Sequence, residues 1–341
     1  MERIRSLKGK VLGLLVAVGL CTQSCDPAAD SACKNAASGP QIPVPVTRLE
    51  KALGELKDSA AVKSFLQANP MLARGYFYTG ARTEADTAEI LRLLVGQAQD
   101  SYMDTMRRDV LKVYPNVDAL QGDLAGLFGR VKAQFPDFAP PKAIYTLASG
   151  FNVDVLYLDS LLILGLEHFM PDSAHYEPPQ IPRYIRVRMR PNTIVPSVAK
   201  LISDRYNRSQ FSPEQAMVEE MVRWGKVLYF QEQMLPCVGD TLIMGYSAQT
   251  LKDVEKNAPL IYAHFVDRNL FFNTDHLLRA KYVGERPVVS EIGPECPGRI
   301  GQWMGWQIVR KWAADKKLTL AQVMAEPDGR KIFNQARWKP E

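Results

Sequence analysis

The side chains best suited to chemistry are few, and their spacing is wrong for a helix-borne metal centre. The chain carries four histidines: His168, His175, His264 and His276. No two are four residues apart, the spacing that puts both imidazoles on one helical face, and no His-Glu-x-x-His string occurs. Glu167-His168 lies just before Pro171, which would end a helix carrying that pair. His168, His175 and Asp172 could hold a metal from a loop, although exposed loop residues are the plainer reading. There is no Gly-x-Ser-x-Gly elbow and no phosphate-cradling glycine loop. An enzyme reading would rest on Glu220 or Glu255 acting with His264. Glu219 and Glu220 are about 100° apart around a helix. One can therefore face inward near Trp224, where burial would raise its pKa and fit it for acid–base work. The ordinary place for such a pair is the solvent boundary.

Two further groups bear on binding. Arg183, Arg186, Arg188 and Arg190 fall among Ile185, Val187 and Met189, and the alternation over 185–190 reads as a half-exposed strand. Its basic face would meet solvent, an acidic partner or lipid headgroups. If the stretch from Pro294 to Arg310 is helical from Gly298, then Gly298, Gly301 and Gly305 share one face. Each glycine costs a helix about 0.8–1.0 kcal/mol against alanine, so close approach of another backbone is the expected compensation. A tightly packed core helix is the structural reading; a partner groove lined by Trp224, Arg299, Trp303 and Trp306 is the functional one.

The elements that must position these residues are mostly helical. Apolar positions recur at helical spacing from Leu49, and Asn69-Pro70 ends that run. Ala88–Tyr114 and Val117–Phe135 continue it, until Pro136 and Pro140-Pro141. The middle changes period: Ala143–Ser149 and Val153–Leu164 read as a hairpin or two neighbouring strands. Helix returns after Ser212. Over Pro213–Met234, Ser212 and Gln215 form a candidate capping box, and Ala216, Met217, Met221, Trp224, Val227 and Leu228 make one stripe. The class expected is α+β, mostly helical with a small β-sheet.

The N-terminus argues for export. Arg3, Arg5, Lys8 and Lys10 precede an apolar run of Val11 to Leu20, then Thr22, Gln23, Ser24 and Cys25. That run is about ten residues, and a membrane span needs roughly 20, so residues 1–24 read as a lipoprotein signal peptide. Cys25, after the small Ser24, is the expected acylated (palmitate-bearing) lipid anchor. Residues 25–46 then form the lipidated N-terminus and flexible tether, and 47–341 a single mostly helical domain. Removing 1–24 takes the 42 basic and 37 acidic residues of the chain to 38 and 36. The near-neutral remainder gives no reason to expect nucleic acid. Of the remaining thiols, Cys237 and Cys296 lie in Pro/Gly-rich loops and form the plausible disulfide, with free thiols the alternative.

Several strings resemble the gliding-motility lipoprotein GldB family of the Bacteroidetes. They include Gln134-Phe135-Pro136, Leu161–Leu166, Pro191–Tyr206, Gly225-Lys226-Val227-Leu228-Tyr229, Gly245-Tyr246-Ser247, Asn269–Asp275 and Pro297–Arg310. Ile332-Phe333 and Trp338-Lys339-Pro340 complete the set. The resemblance implies a part in gliding motility and the associated secretion machinery, with other envelope proteins as partners. The architecture is also similar to zincin-type metalloproteases, which carry His-Glu-x-x-His on one helix and a glutamate on the next. Here Val195–Tyr206 holds no histidine, and Trp224 stands near the position expected for the later glutamate. The resemblance therefore implies a zincin-like scaffold without the zinc motif: a pseudoenzyme with no metal, no cofactor and no catalytic residues. The alternatives are an envelope hydrolase and a periplasmic adaptor or chaperone for exported proteins.

Overall fold

A computed structural model describes Cys33 and residues 39–78, 83–209 and 212–340. The expected signal peptide and lipid-anchor residue Cys25 lie outside the described residues. Strand β1 (Val46–Arg48) is followed by helices α1 (Glu50–Gly54), α2 (Ser59–Ala68), α3 (Glu84–Gln99), α4 (Ser101–Val113) and α5 (Asp118–Gln134). Three strands come next: β2 (Ala143–Leu147), β3 (Val155–Tyr157) and β4 (Leu161–Gly165). After single helical turns come α6 (Ile194–Tyr206), α7 (Met217–Met234), α8 (Asp240–Met244), α9 (Ala248–Lys256), α10 (Ala258–Asp267) and α11 (His276–Tyr282). Helices α12 (Ile300–Lys316), α13 (Leu320–Ala325) and α14 (Gly329–Ala336) close the chain. The mostly helical α+β expectation is met.

Local chemistry sets most boundaries. The periodic stretch expected over Ala88–Tyr114 breaks at Asp100, whose carboxylate accepts from Met103 N at 2.9 Å and starts α4. Thr83 and Asp86 make a reciprocal capping box for α3. Helix α7 begins later than expected, at Met217. Ser212 N donates to Gln215 Oε1 at 3.3 Å in the preceding turn. The carboxylate of Glu219 accepts from Ala216 N at 2.6 Å and caps the helix proper.

The sheet order is β1-β2-β4-β3, with β1, β2 and β4 parallel and β3 antiparallel to β4. The hairpin is therefore Val155–Tyr157 against Leu162–Leu164, and the first apolar run pairs across a crossover. Strand alternation divides the core. Tyr145, Leu147, Leu161 and Ile163 pack under α1–α3. Ile144, Leu162 and Leu164 face α4–α6 together with Phe128, Val198 and Ile202. Covered on both faces, β2 and β4 read as continuous apolar runs. A third core lies around α7 and α12, including Met221, Met304 and Ile308.

Three expectations are corrected. The tether reading over 25–46 does not hold at its described end: Val44 is buried, Ile42 N donates to Ala125 O at 3.0 Å, and Val46 opens β1. The Cys237–Cys296 disulfide does not form. Cys237 is bonded to Cys33, with Cα atoms 4.7 Å apart, and Cys296 is a buried free thiol, its pKa pushed up by burial to about 12. The arginine-rich strand over 185–190 is a helical turn, Arg183–Arg186, followed by a hydrogen-bonded turn through Met189. Among the described residues no strand lies alongside to take its backbone hydrogen bonds. Pro182 starts the turn, and the arginines reach three separate carboxylates: Arg186 to Glu177, Arg188 to Glu285 and Arg190 to Asp172.

Candidate functional site

Helices α6, α7, α8 and the start of α12 enclose a cleft of about 130 Å3 that brings together Trp224 and Arg299, two of the four expected groove residues. Trp224 is half-buried on α7. The ammonium of Lys200, one helix away on α6, lies 5.0 Å from the centre of its ring, and the Arg223 guanidinium lies 5.4 Å away. Arg299 caps α12 in a left-handed conformation, φ 62°, and donates through Nη2 to Met244 O at 2.6 Å. Gly245 ends α8 with φ 69°, and a Cβ there would lie 2.8 Å from Arg188 Cδ. A glycine thus satisfies the backbone and leaves room for the arginine.

The cleft is cationic. Arg188 makes a two-pronged pair with Glu285 at 2.7 and 3.4 Å, and Arg299 Nε approaches the same carboxylate at 3.6 Å. Lys200 and Arg299 both have lowered pKa values. Desolvation is the main cause for each, followed by repulsion from Arg299 for the lysine and from Arg188 for the arginine. On the far side of Pro196 and Leu242 lies a hollow of about 740 Å3 whose walls include Val117, Leu120, Ile194 and Leu235.

Trp303 and Trp306, expected to line the same groove, do not reach it. Trp303 is buried edge-on to Trp338, with ring centres 6.1 Å apart. Trp306 is buried, and its indole donates to Glu232 at 2.8 Å while the Arg310 guanidinium lies 3.8 Å over its ring. Arg310 also holds Glu232 and Asp240, each at 2.8 Å. Helix α12 is enclosed nearly all round, so its aromatic residues serve different neighbours.

The residues of the enzyme reading are dispersed. Glu219 caps α7 and meets Arg330 at 3.1 Å, and Glu220 meets Arg279 at 3.4 Å. Glu255 is exposed on α9, and His264 contacts the Tyr282 hydroxyl at 3.0 Å. The loop-type metal trio is also separated: His175 pairs with Asp109 at 2.7 Å, Asp172 with Arg190 at 2.5 Å, and His168 is buried edge-on to Phe151. Among the described residues, no three His, Cys, Asp or Glu side chains converge as metal ligands would.

Three side chains hold positions that the sequence reading did not assign to them. Lys200 carried no signal beyond its place in an apolar helix. Lys226 has no exposed surface and donates to Ser209 Oγ, Met324 O and Glu326 O at 3.1, 3.0 and 2.8 Å; burial lowers its pKa to about 7. Glu167, in the helical turn after β4, accepts from Ser149 N, Ser149 Oγ and Phe151 N at 2.7, 2.5 and 3.1 Å, and burial raises its pKa. Position in the Gly-Lys-x-Leu-Tyr string could have flagged Lys226, since an apolar helix face tolerates a lysine only when its ammonium finds acceptors.

Among the described residues, no helix is long and apolar enough to cross a membrane. No curated protein and no solved structure matches the chain. The strings that build α6, α7 and α12 fall within a match over residues 30–340 to the family model of the gliding motility protein GldB, and the chain belongs to that family.

Proposed function

We propose that the protein is a lipid-anchored, non-catalytic component of the cell envelope that serves gliding motility and the associated secretion machinery. On this reading it docks an envelope partner at the cleft of Lys200, Trp224 and Arg299. Family membership supports the motility setting. The basic, apolar and small residues leading to Cys25 support export and acylation.

One observation carries the non-catalytic reading. In a zincin-like arrangement α6 and α7 would bear the metal ligands; here they meet through the Lys200 ammonium over the Trp224 ring. An ammonium would repel a divalent cation, whereas a tryptophan face attracts cations without ligating them. The scaffold persists on this view as a partner-binding cleft.

Complementation of a deletion strain tests the proposal. Glu220→Gln, Glu255→Ala and His264→Ala should each restore spreading at normal protein abundance. Lys200→Glu, which reverses the charge at the cleft mouth, should accumulate normally and fail to restore it. Loss of spreading with His264→Ala at normal abundance would return the enzyme reading to first place, and full rescue by Lys200→Glu would remove the cleft from the function.

A further inference from the structure

We infer that the cleft between α6, α7 and α12 is a carboxylate-binding site that takes an acidic or chain-terminal residue of a partner polypeptide. The inference rests on the docking role proposed above and specifies its chemistry. Charge balance is the first ground. Arg188, Lys200 and Arg299 line the cleft, and the carboxylates facing them are Glu285 and Asp204. Three lining cations against two anions leave the site short of negative charge. Among the described residues Lys200, itself exposed, has no protein hydrogen-bond acceptor and meets only the face of Trp224, and Arg188 Nε is buried without a partner. An entering anion would relieve repulsion already present between the three lining cations.

Geometry selects a carboxylate. Glu285 already occupies the Arg188 fork with both oxygens, at 2.7 and 3.4 Å, and so acts as an internal specimen of the group these guanidiniums accept. Its second approach, 3.6 Å from Arg299 Nε, is long for a hydrogen bond. Arg299 thus retains donor capacity toward the cleft, beside the unpaired Lys200. The volume of about 130 Å3 admits one residue-sized group. A polypeptide fits the surroundings better than free phosphate. The cleft lining also includes the apolar Val227, Leu228 and Ile243, and the larger, mostly apolar hollow beyond Pro196 and Leu242 can receive a neighbouring side chain. Gly245 keeps the arginines in place, because any side chain there would displace Arg188.

Binding by the full chain in detergent micelles tests this with three probes: N-acetylated tetrapeptides varied at the third position with a free terminal carboxylate, the same peptides amidated, and the amidated peptides with aspartate in last place. Free-carboxylate or aspartate peptides should bind, and Lys200→Gln should weaken them at least tenfold without moving Tm. Binding that needs the free terminus assigns a chain end, and binding kept by amidated aspartate peptides assigns an acidic side chain. Equal binding of the amidated neutral peptides would overturn the inference. So would Lys200-dependent binding of inorganic phosphate or of phosphatidylglycerol vesicles with none of the peptides. If no peptide binds while Lys200→Glu still abolishes spreading, the ligand class fails and the docking role survives. If peptides bind with Lys200 dependence while Lys200→Glu supports spreading, the site stands and the motility role fails.

Discussion

At the scale of single residues, Lys226 shows how a charged side chain can hold two helices together from within. Its ammonium reaches across from α7 to the carbonyls that end α13, groups a helix terminus otherwise leaves unsatisfied. Desolvation lowers its pKa to about 7 from an ordinary value of 10.5. Between those values the unfolded chain binds more protons at this site than the folded one, so stability supplied here rises as pH rises through that window. Lys226→Met should destabilise by about 1–3 kcal/mol by orphaning buried carbonyl oxygens. The Tm gap between the native protein and this variant should widen from pH 7 to pH 9.5. A constant gap across that range would show that the lysine stays fully charged when buried.

At the scale of elements, the decisive contact is between α7 and α12, where glycine faces glycine. A Cβ on Gly225 would lie 2.2 Å from Gly305 O, and one on Gly305 only 1.8 Å from Met221 O. Gly301 and Gly305 on one face of α12 were legible beforehand, because helical period and the cost of glycine are both local facts; Gly298, expected on the same face, lies before the helix and packs against Arg286 O instead. Its partner helix was not. Gly305→Ala should cost at least about 3 kcal/mol, since backbone must separate from backbone in a close-packed core. Gly96→Ala, in α3 with open space around it, should stabilise by about 0.5–1 kcal/mol through helix propensity. Urea unfolding of both variants checks the pair, and a shift of the same sign in each would contradict the crossing geometry. The arginine-rich turn at 183–190 teaches the converse. Its alternation resembled a strand, but a strand also needs an edge to pair with, and none lies there.

At the scale of the whole molecule, the Cys33–Cys237 bridge closes a separation of 204 residues and ties the N-terminal segment to the loop after α7. Cys237→Ser should lower stability by about 2–5 kcal/mol, the usual loss for a long-range native disulfide. Cys296→Ser should leave the bridge intact; a non-reduced peptide map joining Cys237 to Cys296 would refute the pairing. The bridge also shortens the proposed leash. Eight residue steps from Cys25 to Cys33 span at most about 28 Å, whereas the 21 steps to Val46 would allow about 75 Å. With Cys25 acylated as proposed, the face bearing Cys237 is held close to the bilayer.

Read alone, the sequence determined the mostly helical α+β class, the change of period at the strands, the shared face of Gly301 and Gly305 on α12, and the absence of a His-Glu-x-x-His string. These follow from sterics, capping and side-chain types acting over a few residues. Tertiary structure alone decided that Cys33 and not Cys296 meets Cys237, that β1 joins the sheet, and that Trp224 and Arg299 share a cleft while Trp303 and Trp306 serve the core. It also decided that Lys200 and Lys226, alike as lysines in apolar helices, have opposite surroundings, one exposed over the Trp224 ring and one sealed by carbonyls. Each of those outcomes depends on which distant segment packs alongside, and a short stretch of sequence carries no information about its distant neighbours.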